Sequence, residues 1–229
     1  MKRKLVVLSG AGVSQESGLQ TFRDMGGLWE QYEVTDVASP EAWQRNPELV
    51  LRFYNERRRK LWEASPNRAH IGIAQLEKLF DVQVVTQNVD DLHEQAGSSH
   101  VLHLHGELRK ARSTADPNLV YTLQSPELNP GDLCEKGSQL RPHIVWFGEP
   151  VPNIGKAVTL VSGADIFVII GTSLQVYPAA GLIDHVNREA PVFLVDPGLP
   201  GTITRQVHHI RKRATEGILL LEEMLSVYV

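Results

Sequence analysis

Short, uninterrupted apolar segments recur along this chain, and segments with helical periodicity separate them. Most of the apolar segments lack the alternation of a half-exposed strand, which is typical of strands buried on both faces of a parallel sheet. The pattern predicts six strands, over residues 5–8, 82–86, 101–104, 144–147, 166–170 and 192–195.

Helical segments precede three of these strands, over residues 67–79, 154–162 and 180–189. Strands that alternate with helices predict an α/β fold, in which a doubly wound parallel sheet carries helices on both faces. The carboxyl ends of such strands share one edge of the sheet, where ligands bind in open α/β folds.

Two segments do not follow this alternation and are predicted to form a smaller lobe. Ser39-Pro40-Glu41 is typical of a helix start, and Pro47 begins a second helix that extends to residue 64. Residues 109–141 are polar and contain Pro, with weak strand character only at 119–123. We expect one catalytic unit, with a large lobe of residues 1–38, 65–108 and 144–229 and a small lobe of residues 39–64 and 109–143.

The composition is that of a globular protein, with 229 residues, 42% of them hydrophobic and 22% charged. This excludes a disulfide scaffold, collagen and a disordered chain. The net charge of −4 gives no electrostatic reason to expect a nucleic acid or an anionic membrane as partner. Residues 5–8 are too short for a signal peptide or a membrane span, and the single Cys134 suits a reducing compartment, so we expect a cytoplasmic protein.

A glycine-rich turn follows the first strand, at residues 9–18 (SGAGVSQESG). Its glycines let the backbone turn tightly and approach a pyrophosphate, which predicts a dinucleotide at the sheet edge. Gln15 stands where the dehydrogenase fingerprint requires its third glycine, so an ordinary hydride-transfer enzyme is disfavoured. The alternative is a strand-to-helix turn that binds no ligand.

Polar side chains follow the second strand, at residues 86–93 (TQNVDDLH). Side-chain amides such as those of Gln87 and Asn88 can pair with a carboxamide or with ribose hydroxyls. Asn88 or Asp90 could instead cap the helix that follows, but this cluster of two amides and two carboxylates exceeds what a cap needs.

Two histidines flank the end of the third strand. Alternation predicts that His103 and His105 face the same way, and Gly106 allows close backbone approach. Either histidine could act as a general base near neutral pH, and spacing alone does not choose between them. A zinc site here would lack further ligands at a recognisable spacing.

Two more strand ends carry turn residues with polar groups. Gly171-Thr172-Ser173 ends the fifth strand, and Asp196-Pro197-Gly198 ends the sixth with an acid that could accept ribose hydroxyls. Each segment is also ordinary turn chemistry. Together with the first two motifs they predict dinucleotide chemistry at four strand ends.

These residues resemble the motifs of the sirtuins, a family of NAD-dependent protein lysine deacylases. The resemblance implies a Rossmann-like large lobe, an inserted small lobe, and a cleft where NAD and an acyl-lysine side chain meet. The matching motifs occur in the family's order over essentially the whole chain: residues 10–18 with Thr21-Phe22-Arg23, residues 86–90 with Leu92-His93, His105-Gly106, residues 146–149 (WFGE) and residues 171–173 (GTS).

The resemblance also implies a role for individual residues. His105 would be the catalytic base, with Asn88 and Asp90 beside the nicotinamide and its ribose, and the products would be free lysine, nicotinamide and O-acyl-ADP-ribose. The acyl-lysine peptide would lie against Val145, Phe147, Gly148 and Glu149. NAD would contact Gly10, Ala11, Gly12, Ser14, Phe22, Arg23, Gln87, Asn88, Asp90, Gly171, Thr172, Ser173, Asp196 and Ala214, although Asp196 replaces an amide that is usual near that strand end.

The helix that begins at Pro47 carries Tyr54 and Arg57 three residues apart, so both project from one face. An Arg fork matches a carboxylate, and a Tyr can donate a further hydrogen bond. The pair resembles the signature of class III sirtuins, the type of the bacterial desuccinylases and deacetylases, which accept acidic acyl groups such as succinyl, malonyl or glutaryl. A solvated basic face accounts for some of the neighbouring residues Arg58, Arg59 and Lys60.

The chain departs from the family in its small lobe, where most sirtuins bind zinc through two pairs of Cys. Only Cys134 remains between residues 112 and 137, and Ser113 and Gly137 stand where ligands would be expected. A thiolate site of that kind cannot form, so we predict that no structural zinc is bound. Packing by Leu119, Tyr121, Leu123 and Leu133 is predicted to hold this lobe instead.

Two other functions compete with a deacylase that removes succinyl, malonyl and acetyl groups. One is an NAD-dependent protein ADP-ribosyltransferase, and the other is a non-catalytic module that binds NAD or acyl-lysine. The presence of both His105 and Asn88 argues against a mere binding module, because a binder needs no base. We expect a monomer whose partners are the acylated lysine side chains of proteins.

Overall fold

The computed structural model of the chain describes residues 2–19, 32–198 and 203–229, in which two sheets and several helices are defined. The strands are β1 (Lys4–Ser9), β2 (Asp81–Thr86), β3 (Val101–His103), β4 (Gly106–Ser113), β5 (Val120–Thr122), β6 (Leu140–Ile144), β7 (Ile166–Ile170), β8 (Val192–Val195) and β9 (His208–Ile210). The α-helices are α1 (Val34–Val37), α2 (Pro40–Arg45), α3 (Pro47–Glu63), α4 (Arg68–Gln75), α5 (Leu92–Gln95), α6 (Ile154–Ser162) and α7 (Ala214–Leu225). Short 3₁₀ helices lie at Ala11–Val13, Gln15–Ser17, Leu76–Lys78, Ala179–His185 and Ser226–Tyr228.

The larger sheet is parallel throughout and has the strand order β3-β2-β1-β7-β8-β9. Both of its faces are buried, as the uninterrupted apolar strands predict. Leu5 and Val7 enter one hydrophobic cluster, while Val6 and Leu8 enter another on the opposite face. Helices α4 and α7 cover the first face, and α6 with the 3₁₀ helix Ala179–His185 covers the second. The predicted Rossmann-like α/β fold is therefore confirmed.

The smaller sheet is antiparallel, with the order β5-β4-β6, and helices α1 to α3 pack beside it. Ser39 Oγ accepts a hydrogen bond from Ala42 N at 3.0 Å, which begins α2 at the predicted position. Asn46 caps α3 in the same way. The buried face of α3 carries Phe53 and Tyr54 into a cluster that includes Trp146.

A second cluster fills the far end of the smaller sheet, where Cys134 packs with Leu128 and Leu140. Leu119, Tyr121 and Leu123 lie against this cluster, as predicted. The prediction for Leu133 is wrong, because its side chain is 55% exposed. Cys134 takes the inward position, so its neighbour Leu133 points outward.

Several predicted elements need correction. Residues 144–147 do not add a strand to the parallel sheet, because β6 ends at Ile144 and pairs antiparallel with β4. An apolar segment buried in the small lobe has the same composition as one buried in the parallel sheet, so the pattern alone could not separate the two. The helix predicted at 180–189 is the shorter 3₁₀ helix Ala179–His185, and the sequence analysis missed β4, β9 and α7.

Within the described part of the chain, no helix has both the length and the apolar character needed to cross a membrane.

Candidate functional site

The carboxyl edge of the parallel sheet opens into a cavity of about 790 Å³, a volume typical of small-molecule sites. The residue that directly follows a strand lines it at four positions: Gly10 after β1, Gln87 after β2, Gly171 after β7 and Asp196 after β8. Strand order reverses at β1, whose neighbours are β2 and β7. Open α/β sheets bind ligands at this switch point.

The structure brings the predicted site residues together in this one cavity. Phe22 and Arg23 are the exceptions, since both lie outside the described residues. The predicted residues that line the cavity are Gly10, Ala11, Gly12, Ser14, Tyr54, Arg57, Gln87, Asn88, Asp90, His105, Val145, Phe147, Gly148, Glu149, Gly171, Thr172, Ser173, Asp196 and Ala214.

Two glycine turns form one wall of the cavity, backbone against backbone. Gly12 N donates to Gly171 O at 2.8 Å, and Gly10 N donates to Ile170 O at 3.1 Å. A Cβ added at Gly12 would lie 2.9 Å from Gly171 Cα, closer than real Cβ atoms approach. Only glycine therefore permits this contact, and the exposed backbone that results fits the close approach of a dinucleotide.

Asn88 is held by hydrogen bonds on both its backbone and its side chain. Its N–H donates to Thr86 Oγ1 at 3.0 Å, and its side-chain amide donates to Ser14 Oγ at 3.1 Å. Its backbone carbonyl accepts from His103 Nδ1 at 3.0 Å. The residue is buried, with its amide fixed at the cavity wall.

The Ser14 hydroxyl links Asn88 to Asp90. His70 Nδ1 accepts from Asn67 N at 3.3 Å, so its other nitrogen carries the proton and donates to Ser14 Oγ at 3.3 Å. Burial lowers the pKa of His70 to about 4, which keeps this ring neutral. With two donors on its oxygen, Ser14 gives its own proton to Asp90. Burial raises the pKa of Asp90, and this hydrogen bond opposes the rise.

His105 presents one ring nitrogen to the cavity. Its Nδ1 donates to Gln87 O at 3.0 Å, which leaves Nε2 as the acceptor. Burial lowers its pKa below the ordinary 6.5, although the Gln87 carbonyl opposes the shift. A neutral imidazole with an unprotonated Nε2 is what a general base requires.

Tyr54 and Arg57 lie together on the small-lobe side of the cavity. Tyr54 OH accepts from Trp146 Nε1 at 3.0 Å and from Arg57. The guanidinium carbon of Arg57 is 5.6 Å from the centre of the Tyr54 ring. Burial lowers the pKa of Arg57, while Tyr54 and the Asp90 carboxylate oppose the shift. Since the Tyr54 oxygen accepts two hydrogen bonds, its proton can be donated to an oxygen within the cavity.

Glu149 lines the cavity, but three groups already hold its carboxylate. Arg141 donates to it at 2.7 Å, Arg112 at 3.1 Å and the backbone N–H of Trp146 at 2.8 Å. These contacts hold the Glu149 pKa low, although burial alone would raise it. Glu149 therefore holds the segment at residues 146–149 in place, because its carboxylate is already bound by these three groups.

The sequence analysis did not single out several residues that line the cavity. Trp146 lies inside the quoted WFGE motif, so a signal for it was present, and its indole orients Tyr54. Arg213 directly precedes the predicted Ala214. Nothing in the sequence indicated that Leu108 and Ile144 line the cavity, because only the packing of the small lobe places these apolar residues there.

The fold and the cavity together define an α/β protein with a Rossmann-like sheet and a ligand site at its switch point. The Sir2 family model matches residues 10–178. An NAD-dependent protein deacylase from Bacteroides thetaiotaomicron is 56% identical over 97% of this chain and 98% of the relative. One from Helicobacter pylori is 58% identical over 85% of this chain and 83% of the relative. The chain belongs to the Sir2 family, which confirms the resemblance.

Solved structures agree with this assignment. A Sir2 homologue in complex with NAD has a TM-score of 0.87 and 40% identity, and the match covers 98% of this chain and 91% of that one. A Sir2 variant with a deacetylated p53 peptide and 3′-O-acetyl ADP-ribose has a TM-score of 0.82 and 31% identity, covering 97% of this chain and 94% of that one.

The small-lobe positions discussed for zinc do not suit a four-thiolate site. Cys134 Sγ donates to Ser113 Oγ at 3.2 Å, and Lys136 Nζ lies 2.7 Å from Asp116 Oδ2. Across residues 2–19, 32–198 and 203–229, no group of three or more His, Cys, Asp or Glu side chains is arranged to hold a metal ion. Hydrogen bonds and packing connect these segments, and the absence of zinc remains a prediction.

We expect a chelator such as EDTA to leave the thermal unfolding midpoint of this protein unchanged, because a structural metal contributes to folding only where its ligands exist. Differential scanning calorimetry with and without EDTA measures the effect, and elemental analysis counts zinc per chain. A stoichiometric zinc together with a lower midpoint after chelation would contradict the prediction.

Proposed function

We propose that this protein is an NAD-dependent protein-lysine deacylase that removes succinyl and malonyl as well as acetyl groups, giving nicotinamide, O-acyl-ADP-ribose and free lysine. The observation that carries the proposal is that one cavity joins a neutral His105 to the buried Asn88 and Asp90 at one side and Tyr54 with Arg57 at the other. The names of the relatives support the class of reaction.

The glycine turns and the polar strand ends would hold NAD, with its pyrophosphate near Gly10 and Gly12 and its adenosine half near Gly171, Thr172 and Ser173. Asp196 Oδ1 already accepts from Gly198 N at 2.9 Å, and its carboxylate would also accept a ribose hydroxyl. When bound, NAD supplies the ribose carbon that takes the acyl oxygen as nicotinamide leaves. The protein holds the reacting groups in contact, which lowers the entropic cost of the step.

Asn88 and Asp90 would orient the nicotinamide end, since hydrogen bonds to Ser14 fix both side chains. His105 would accept the proton of a ribose hydroxyl at Nε2 while Nδ1 remains on Gln87. Because Nδ1 keeps its proton, the ring is an imidazolium after it accepts the second proton and returns to the same neutral tautomer when that proton leaves. One water is consumed in each turnover, and the proton taken by His105 would pass to the departing lysine amine, which leaves the ring neutral again.

Arg57 and Tyr54 would bind the terminal carboxylate of an acidic acyl group. A guanidinium and a phenol proton on the same wall offer two charge-assisted hydrogen bonds to one carboxylate. The Trp146 indole favours this arrangement because it occupies an acceptor position of the Tyr54 oxygen. Acetyl-lysine needs neither bond, so the same cavity accepts it without this contribution.

A mass-spectrometric assay tests the proposal with one peptide carrying acetyl-lysine or succinyl-lysine, with NAD present or absent. The expected result is NAD-dependent loss of the acyl mass from the peptide together with O-acyl-ADP-ribose in solution. ADP-ribose added to protein would instead favour the transferase. A folded protein that binds NAD but deacylates neither peptide would favour the non-catalytic binding module.

The pH dependence of kcat/KM should report the protonation of His105. A general base must be neutral, so activity should be constant above its pKa and fall by tenfold per pH unit below it. Because burial lowers the pKa of His105, the acid limb should lie below the ordinary 6.5. Steady-state rates with saturating peptide and varied NAD measure the limb. An acid limb above 6.5 would contradict this protonation state.

A further inference from the structure

His103, which spacing could not separate from His105 as a base, does not line the cavity; it lies buried behind it. Its Nδ1 is 3.0 Å from Asn88 O, and its Nε2 is 2.7 Å from Glu94 Oε1. The His103 side chain is 7% exposed and that of Glu94 is 39% exposed. Glu94 reaches it from α5, which begins at the end of the polar segment that follows β2.

Both partners of the His103 ring are hydrogen-bond acceptors. A backbone carbonyl has no proton to give, and an ionised carboxylate accepts only. Either neutral tautomer would turn a nitrogen lone pair toward one of these oxygens, so the geometry requires a proton on each nitrogen. His103 is thus an imidazolium paired with Glu94.

The charges around His103 agree with this state. Burial opposes the charged ring, but the hydrogen bond and charge of Glu94, with the more distant Glu107, raise its pKa above the ordinary 6.5. The Glu94 pKa is lowered, since the bond and charge of His103 outweigh burial, and Lys110 adds to the effect. Asp90 also faces this positive charge. His93, the other titratable neighbour, has a pKa well below 6.5 and is neutral.

We propose that His103, charged and held by Glu94, is a positioning residue that fixes the backbone carbonyl of Asn88 for the NAD-dependent reaction. The inference rests on the proposed function and adds two residues that do not contact the ligand. Thr86 and Ser14 hold the Asn88 N–H and side chain, and His103 holds the remaining backbone group.

The hydrogen bond from His103 to the Asn88 carbonyl also affects His105, the proposed general base. His105 donates to the carbonyl of Gln87, and His103 donates to the carbonyl of the next residue, Asn88. Two imidazole rings from one strand end therefore hold consecutive peptide groups of the segment after β2. Loss of the His103 bond would loosen the Asn88 peptide group, which adjoins the peptide group whose carbonyl orients the His105 ring. A displacement of about 1 Å can lower a rate by up to about a hundredfold.

Two near-isosteric substitutions of His103 separate this role from a merely structural ion pair. In His103→Asn the amide nitrogen takes the place of Nδ1, so the bond to Asn88 is kept and the one to Glu94 is lost. In His103→Gln the amide nitrogen takes the place of Nε2, so the bond to Glu94 is kept and the one to Asn88 is lost. Both variants remove the charge and insert a neutral amide of similar size.

The measurements are kcat/KM for NAD, the separate kcat and KM values for the acyl peptide, and NAD affinity by isothermal titration calorimetry. We expect His103→Gln to lower kcat/KM for NAD by about tenfold to a hundredfold and to weaken NAD binding. His103→Asn should stay much closer to the wild type in both. The KM for the acyl peptide should change little in either variant. Glu107→Gln is the matched control, since it removes a nearby charge but no hydrogen bond to His103.

Equal losses in the two variants, or a greater loss in His103→Asn, would overturn the inference, because an ion pair that serves stability alone favours the variant that keeps Glu94. ¹⁵N NMR of the wild type at neutral pH should show both His103 ring nitrogens protonated, and a single protonated nitrogen would overturn the charged state. If the wild type removes no acyl group, the proposed function fails, while NAD binding by the two variants still decides the role of His103.

Discussion

Replacement of His105 by Ala is expected to lower the deacylation rate by about two to four powers of ten, the usual contribution of a positioned general base. The structure gives the reason, since His105 is the one histidine among the described residues that lines the cavity. Its Nδ1 donates to Gln87 O, and its Nε2 is available as the acceptor of a proton. Product formation with acetyl-lysine and succinyl-lysine peptides, followed by mass spectrometry, measures the loss. Both substrates should be affected alike, because in the proposed reaction the base acts on the ribose and not on the acyl group.

A second substitution separates the base from the structural contact. His105→Asn places an amide nitrogen near the position of Nδ1, so the hydrogen bond to Gln87 can persist while the basic nitrogen is lost. We expect this variant to be as inactive as His105→Ala, with an unchanged melting temperature and unchanged NAD binding. Residual activity within tenfold of the wild type in either variant would place the base elsewhere.

Replacement of Arg57 by Met is expected to lower kcat/KM for a succinyl-lysine peptide by about tenfold to a hundredfold and to leave the acetyl-lysine value nearly unchanged. A hydrogen bond to a charged group contributes about 1.5 to 3 kcal/mol, which corresponds to this range. Met keeps an unbranched apolar stem and removes the guanidinium, whose carbon lies 5.7 Å from the centre of the Phe53 ring and 5.6 Å from that of Tyr54. The measurement is a pair of kcat/KM values on one peptide backbone.

Arg59→Met is the matched control for this prediction. Arg59 lies on the same helix, α3, but it is exposed and pairs with Glu127 at 2.7 Å outside the cavity. Its loss should change neither value, since exposed ion pairs contribute little. A similar drop for both acyl groups in Arg57→Met would show that Arg57 supports the whole site. No drop for either would remove the carboxylate-binding role.

The sequence predicted those features that depend on near neighbours in the chain. The apolar segments at residues 5–8 and 166–170 identified central strands, because a strand buried on both faces needs apolar side chains at every position. Ser39 before Pro40 identified a helix start through its own cap. The motif residues identified the family, and with it many of the residues that line the cavity.

Other features depended on contacts between residues far apart in the chain. Trp146 donates the hydrogen bond that orients the Tyr54 hydroxyl, although the two residues lie 92 positions apart in the sequence. No local pattern in α3 predicts that bond. Strand β6 (residues 140–144) pairs with β4, so its apolar end packs in the small lobe and not in the parallel sheet.

His103 at the end of the third strand and His105 just beyond it show the same division. The sequence by itself determined that His103 and His105 stand near a strand end and that both are candidate general bases. Residue type and alternation along a strand are local properties, so the sequence shows them directly. Only the tertiary structure decided that His105 reaches the cavity while His103 is closed between Asn88 and Glu94. The physical reason is that the protonation state and role of a histidine depend on the acceptors around each ring nitrogen, and the folded chain supplies those acceptors.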